Sequence, residues 1–438
     1  MLRAVAAAAL RDETVDLLSR LLRLDTTNPP GNETPAAELL RDYLEAHGVD
    51  CELLARVPER ANLVARLPGS GDGPSLLLLS HTDVVVADAA EWSLPPFSGE
   101  VRDGEVWGRG ALDMKGQVAA SAVAIASLAR EGFRPGGDLI FVASADEEVG
   151  EGFGLSWLCR EHPEAVRCDY CVNEGGGDRL ELGGAVVYQA TAAEKLTAPF
   201  TVRVRGRSGH ASMPGIADNA LVKAARLIER LSAYRPEPQL GPEVEGFLRA
   251  LLGEVPSAAQ ALERARALSP VAGNVVEPIL SATFSPTMIS ASRQRNVIPA
   301  VCDVVVDCRL LPGQHPEHVD PLVRAVLGSD VDYELLWGEP EGGTRSRLDT
   351  PLWSAVESFV AETEPGAKAV PMCTAGFTDS HWLREAFGTV AYGFFPMTGE
   401  MPMEVVHELV HSADERIAIS DLVLGLDWLR HVARAVLS

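Results

Sequence analysis

Apolar residues recur along this chain in two rhythms. Between residues 12 and 190, continuous apolar runs alternate with stretches of helical periodicity. Leu17, Leu18, Leu21 and Leu22 share one face of a 3.6-residue repeat and predict an amphipathic first helix rather than a cleaved leader. A helix ending near His47-Gly48 follows, then strands at 51–54, 62–67 and 76–79, a small-residue helix at 117–130 and a strand at 139–143. The run Leu76-Leu77-Leu78-Leu79 has no polar alternation, which predicts a strand buried on both faces of a helix-flanked sheet.

The rhythm changes near Glu194. Residues 197–205 alternate polar and apolar, the pattern of a half-exposed strand. A helix at 217–231 follows, then a polar, proline-bearing, partly helical stretch at 236–270. Strands at 282–290 and 300–311, a helix at 318–327 and a strand at 331–337 complete a β-α-β-β-α-β order, the ferredoxin-like arrangement. After a flexible connector at 338–345 the first rhythm returns, with a helix at 351–362, a strand near 390–395 and a final amphipathic helix at 420–436. The expected fold is α/β: a helix-flanked mixed-sheet catalytic domain (1–194 and 341–438) with an inserted ferredoxin-like α+β lid or dimerisation domain (195–340). A chain of 438 residues exceeds what one core usually serves, which fits two domains.

Charge narrows the possible partners. A formal net charge of −24 repels phosphate backbones and anionic lipid, so neither nucleic acid nor a membrane is an expected partner. Seven cysteines, an odd number in a large chain, fit reduced thiols and a cytoplasmic location. Cys168-Asp-Tyr-Cys171 has redox-type spacing but lies in a strand-like segment without a second pair, and is read as structural.

The candidate chemistry sits where strands end. The run from Ser75 leads into His81-Thr-Asp83, that from Asp138 into Asp146-Glu147-Glu148, and that from Asp169 into Glu174-Gly-Gly-Gly. Gly108-Arg-Gly-Ala-Leu-Asp113-Met-Lys-Gly is a tight turn carrying another carboxylate. Ligands of open α/β sheets bind beyond the carboxyl ends of the strands. A lone His-x-Asp, or an isolated Glu-Glu, reads most simply as a solvated loop; repetition at several strand ends argues against that. Carboxylates plus imidazole without thiolate suit zinc or a similar divalent ion.

Taken together, His81-Thr-Asp-Val-Val, Gly108-Arg-Gly-Ala-Leu-Asp-Met-Lys-Gly, Asp146-Glu-Glu-Val-Gly, Asn173-Glu-Gly and Ser208-Gly-His-Ala-Ser resemble the M20 metallopeptidase family. Arg295-Asn-Val-Ile-Pro299, Asp307-Cys-Arg-Leu-Leu-Pro-Gly313, Gly376-Phe-Thr-Asp379 and His411-Ser-Ala-Asp-Glu415 extend the resemblance over essentially the whole chain, in family order. One departure is Val86, where many members carry proline. The resemblance implies two divalent metal ions, zinc by default with cobalt or manganese as substitutes. Asp113 would bridge them, His81 and Glu174 completing one site, Glu148 and His411 the other. Asp83 would orient His81, Glu147 would be the general base, and a non-proline cis peptide would follow Asp113. His407, four residues before His411, is a rival ligand expected in a strand or turn; the motif match favours His411.

The resemblance further implies a homodimer built through the inserted domain, with His210 reaching the partner's active site as oxyanion donor. Asn296 and Arg309 match positions that grip a substrate carboxylate, although Arg309 can instead pair with Asp307. Gly376 would offer backbone to the substrate. The expected activity is hydrolysis of the amide of an N-acyl amino acid or small peptide with a free α-carboxylate. The alternatives are a metallo-dipeptidase or carboxypeptidase, or a catalytically silent binder of amino-acid derivatives. The 236–270 insert resembles the carboxypeptidase- and aminoacylase-like branch more than compact desuccinylases.

Overall fold

The computed structural model describes residues 2–182, 184–268 and 270–438. Close packing divides them into two compact units: 1–192, 346–372 and 378–438 in the first, 193–345 and 373–377 in the second. The segment 373–377, which carries Gly376, thus packs with the second unit rather than with the first-unit segments around it in sequence.

The first unit is built on a nine-stranded mixed sheet. At its centre Leu139–Ser144, Leu76–His81, Tyr170–Asn173 and Val390–Gly393 run parallel, and Asp50–Ala55 and Ala61–Leu67 extend one side antiparallel. The apolar run at 76–79 divides between two cores. Leu76 and Leu78 face the helices Leu2–Leu22, Lys115–Arg130 and Ile419–Leu437, while Leu77 and Leu79 join Leu155, Leu158 and Leu383 on the other face. Burial on both faces follows from the absence of polar alternation in that strand. The helix Lys115–Arg130 is buried along nearly its whole length, and its alanines and glycine let it lie close to the sheet.

The second unit has the ferredoxin-like strand order Tyr333–Trp337, Phe200–Arg205, Val301–Leu310, Thr283–Ser290, all antiparallel. Helices Ala220–Ala233 and Pro316–Leu327 cover one face through Ala224, Leu227, Leu231, Val319 and Val323. On the other face Arg203 pairs with Asp303 and Arg205 with Glu334.

Several elements differ from the sequence expectation. The strand expected at 197–205 is interrupted after Leu196–Thr197, where Pro199 has no N–H to donate, and resumes at Phe200. Residues 338–345 are not simply a flexible connector, because Glu341–Gly342 pairs with Leu196–Thr197. The stretch expected to be partly helical holds Pro242–Leu252 and Ala258–Leu268, and a third helix, Pro270–Leu280, follows. His407 lies on the helix Met403–Leu409, not in a strand or turn. The strands Ala185–Glu194 and Lys368–Thr374 and the short helix Ser380–Phe387 were not among the elements expected from the sequence.

All seven cysteines are free. Burial pushes the thiols up, to about 12 for Cys51, Cys159, Cys168, Cys308 and Cys373. Among the described residues no helix is long and apolar enough to cross a membrane.

Candidate metal centre

Five segments of the first unit deliver polar side chains to one place. His81 ends the strand Leu76–His81, and Asp113 sits in the turn before Lys115–Arg130, followed by a cis peptide bond to Met114. Glu147 and Glu148 follow the strand Leu139–Ser144, and Glu174 follows Tyr170–Asn173. His411 lies two residues past the helix Met403–Leu409, with a left-handed φ of 61°.

The donors form two groups that share Asp113. His81, Asp113 and Glu174 make one; Asp113, Glu148 and His411 make the other. Asp113 turns Oδ1 to His81 Nε2 at 3.1 Å and Oδ2 to His411 Nε2 at 3.0 Å. Glu174 Oε2 is 3.7 Å from His81 Nε2, and Glu148 Oε2 is 3.3 Å from His411 Nε2. Glu147 belongs to neither group, its Oε2 standing 4.0 Å from His81 Nε2. His407 instead meets Asp178 at 2.8 Å.

Neighbouring atoms fix the imidazole tautomer. His81 Nδ1 donates to the Asp83 carbonyl at 3.0 Å, so in the neutral ring Nε2 carries the lone pair facing Asp113 and Glu174. The Asp83 carboxylate is farther from Nδ1, at 3.5 Å, and accepts the backbone amides of Glu147 (3.1 Å) and Glu148 (3.0 Å). Asp83 therefore links the two strand ends, holding His81 through its backbone and the glutamate pair through its side chain.

The electrostatics call for cations. Four carboxylates face two imidazoles, so negative charge exceeds what the histidines can neutralise. Burial, then the Glu174 carboxylate, push Glu147 well above the usual carboxylate range, and burial raises Glu174. Burial also raises Asp379, to about 7, despite a hydrogen bond from Ser144. Asp113 and Glu148 carry His411 up to about 10. Glu148 Oε1 is buried without a hydrogen-bond partner, an atom whose burial costs free energy unless something charged or polar meets it. Metal–ligand distances of about 2.0–2.2 Å put tetrahedral donors about 3.4 Å apart, close to the separations within each group. The donor set fits divalent cations.

Glu415 had no role on sequence grounds. Fully buried, it accepts the amides of Gly110 (3.0 Å), Leu112 (2.8 Å) and Asp113 (3.0 Å), and Arg109 Nη1 at 2.6 Å. It ties the segment bearing His411 to the turn bearing Asp113. Its place in the motif beginning at His411 was the only sequence signal.

The other candidates lie on the second unit. His210 is exposed, and its Nδ1 accepts the Ser212 amide at 3.2 Å, which leaves Nε2 as the donor of the neutral ring. Arg309 gives Nε and Nη2 to Asp307 (2.9 and 3.1 Å) and Nη1 to Thr197 (2.6 Å), so the ion pair with Asp307 exists. Asn296 is exposed, and its carbonyl accepts the Ala211 amide at 3.0 Å. A Cβ added at Gly376 would meet nothing within 4 Å, so the chain's own packing does not require glycine there.

Known proteins resemble the chain along nearly its whole length. A succinyl-diaminopimelate desuccinylase of Cereibacter sphaeroides is 26% identical over 423 residues, 94% of this chain and 95% of its own. One of Delftia acidovorans is 28% identical over 426 residues, 93% and 94% of the two chains. An M20 family metallo-carboxypeptidase from Sulfolobus solfataricus shares the fold at a TM-score of 0.72 and 17% identity, covering 97% of this chain and 99% of that one. The di-peptidase Dug1p from Saccharomyces cerevisiae does so at 0.69 and 15%, covering 98% and 97%. The model of peptidase family M20/M25/M40 matches residues 77–435, so the chain belongs to that family of metal-dependent hydrolases acting on amide bonds.

Proposed function

We propose that this enzyme releases an amino acid bearing a free α-carboxylate from an N-acyl precursor, in the cytoplasm, with two zinc ions. The observation that carries the two-metal reading is Asp113, one carboxylate with each oxygen turned to a different histidine. Full-length similarity to enzymes named as desuccinylases supports an acylase, with a dipeptidase or carboxypeptidase as the alternative. The seven free thiols suit a reducing compartment.

His81 and Glu174 would hold one ion, Glu148 and His411 the other, with Asp113 shared. The chemistry supplied by two bound divalent cations is Lewis-acid polarisation of a carbonyl and acidification of water. Glu147, outside both donor groups, takes the proton of the attacking water and returns it to the departing amine nitrogen, without which an amide leaves poorly. Asp83 keeps His81 and the glutamate pair in register. His210 offers Nε2–H to the developing oxyanion, in the active site of a partner subunit.

Asn296 and Arg309 grip the α-carboxylate. Arg309 spends three of its five N–H groups on Asp307 and Thr197, leaving two for a substrate. Gly376 presents bare backbone to the substrate. A homodimer would form through the second unit, whose edge strand Thr283–Ser290 exposes Met288 (67%) and Ile289 (52%), an edge that favours pairing.

The test is a release assay on N-succinyl, N-acetyl and dipeptide panels with zinc restored after chelation. Release confined to dipeptides overturns the acylase reading. Mixing His210→Ala with Glu147→Ala subunits tests the dimer: activity returning in mixed dimers is expected, and none returning removes His210 from action across subunits.

A further inference from the structure

Behind the glutamate pair lies a buried polar chain that ends on Asp83 and whose other members the reaction as described does not use. Glu33, Arg60, Asp146, Asn28 and Asp83 are each at most 4% exposed. Arg60 pairs with Glu33 through Nε (2.7 Å) and Nη2 (2.8 Å), and Nη2 also reaches Asp146 Oδ1 at 3.1 Å. Asn28 Nδ2 donates to Asp146 Oδ1 (3.1 Å) and to Asp83 Oδ2 (2.9 Å), using both of its hydrogens. Asp83 in turn accepts the amides of Glu147 and Glu148.

Asp146, immediately before the pair, has a left-handed φ of 62°, a conformation that a non-glycine residue keeps only where its surroundings enforce it. The enforcing contacts are Arg60, Asn28 and the Phe153 amide, which donates to Asp146 Oδ2 at 3.0 Å. Two buried carboxylates, Glu33 and Asp146, thus share one guanidinium, and Asn28 supplies the donors that let Asp146 sit beside a third, Asp83.

We infer that Asn28 is a positioning residue for the Glu147–Glu148 pair, holding Asp83 and Asp146 so that Glu148 is set for metal binding and Glu147 for proton transfer. The inference rests on the reading of Glu148 as a ligand and Glu147 as the base. Its effect is selective. Glu174 is carried by a different strand, Asp113 is held by Glu415, and His81 is fixed chiefly by the Asp83 carbonyl, at 3.0 Å, the carboxylate Asn28 touches standing farther off at 3.5 Å. Losing Asn28 disturbs the Glu148–His411 position and spares the His81–Glu174 position.

The experiment is zinc titration of chelator-stripped wild type, Asn28→Ala and the near-isosteric Asn28→Asp against a competing chromophoric chelator. Wild type is expected to bind two equivalents. The variants should keep one at wild-type affinity and bind the other about 10–100-fold more weakly, the usual cost of losing an outer partner. Asn28→Ser, uncharged and too short to span both carboxylates, decides the matter if the aspartate variant does not fold. Unchanged affinities, or equal weakening of both equivalents, overturn the role of Asn28 alone. A wild type that binds no second equivalent overturns the metal reading and this inference together.

Discussion

The backbone amide of Asp113 donates to the Glu415 carboxylate at 3.0 Å, so the residue facing both histidines is held by the segment that carries one of them. The same carboxylate takes two further amides and the buried Arg109 guanidinium. Glu415→Ala leaves that guanidinium uncompensated and three amides without an acceptor. Breaking a buried pair costs about 3–5 kcal/mol. Urea denaturation of the metal-free variant should show a loss of that size; a loss under about 1 kcal/mol, the scale of an exposed pair, would show the turn standing without Glu415.

Glu147→Gln keeps the shape of the general base and removes its basicity. Turnover should fall by at least about 100-fold, the low end for a positioned acid–base group. Zinc content, measured by elemental analysis, should stay at the wild-type level. Near-normal turnover would hand the proton transfer to another group.

Arg60 is buried and forked onto the fully buried Glu33. Arg60→Met fills similar space but takes the guanidinium from Glu33 and from Asp146, and about 3–5 kcal/mol of stability should go with it. The double variant Arg60→Met with Glu33→Leu should recover part of that loss, because the Glu33 charge is gone while Asp146 keeps Asn28 and the Phe153 amide. If the double variant is as unstable as the single, packing rather than charge set the cost.

A substitution that favours a free helix should harm this one. A Cβ at Gly425, within the helix Ile419–Leu437, would stand 2.0 Å from the Phe395 ring. Gly425→Ala gains roughly 1 kcal/mol in helix propensity. Overpacking costs about 1–3 kcal/mol. The steric term wins, so the melting temperature should drop; a rise would mean that the ring has room to move.

Asp138 accepts the Gly69 amide at 2.7 Å and pairs with Arg66. Burial alone would raise its carboxyl, but the amide and guanidinium hold it below the usual range. A group depressed in the folded state contributes stability above its unfolded value and loses it as pH falls through the folded one. Asp138→Asn should therefore be less stable than wild type at pH 7, and the gap should begin to narrow below about pH 4 and close only below the depressed folded value. A gap that does not narrow at all between about pH 5 and about pH 2 would point to hydrogen bonding rather than charge.

What could be read from the sequence follows the strength of each local signal. The strand carrying His81 is a continuous leucine run, so both the element and its polar end are plain. The strand Ala185–Glu194 is composed largely of small and polar residues, whose burial depends on neighbours distant in sequence. Asp113 and Glu174 stand at turns and strand ends where crevices form, whereas only motif similarity singles out His411. Asn28 sits in a proline-flanked loop whose composition signals a turn and nothing more. Its two carboxylate partners lie 55 and 118 residues away, beyond the reach of any local pattern. The arginine fork of Arg309 was legible as a choice between two partners, and the ion pair with Asp307 shows one of them.

The buried thiols have a practical corollary. A thiolate is the reactive form, and groups pushed to about 12 hold almost none of it near neutrality. Alkylating reagents can therefore label Cys168 in the first unit, or Cys308 and Cys373 in the second, mainly when local structure opens. Labelling rates at these sites give each unit its own built-in clock for breathing motions, without any added probe.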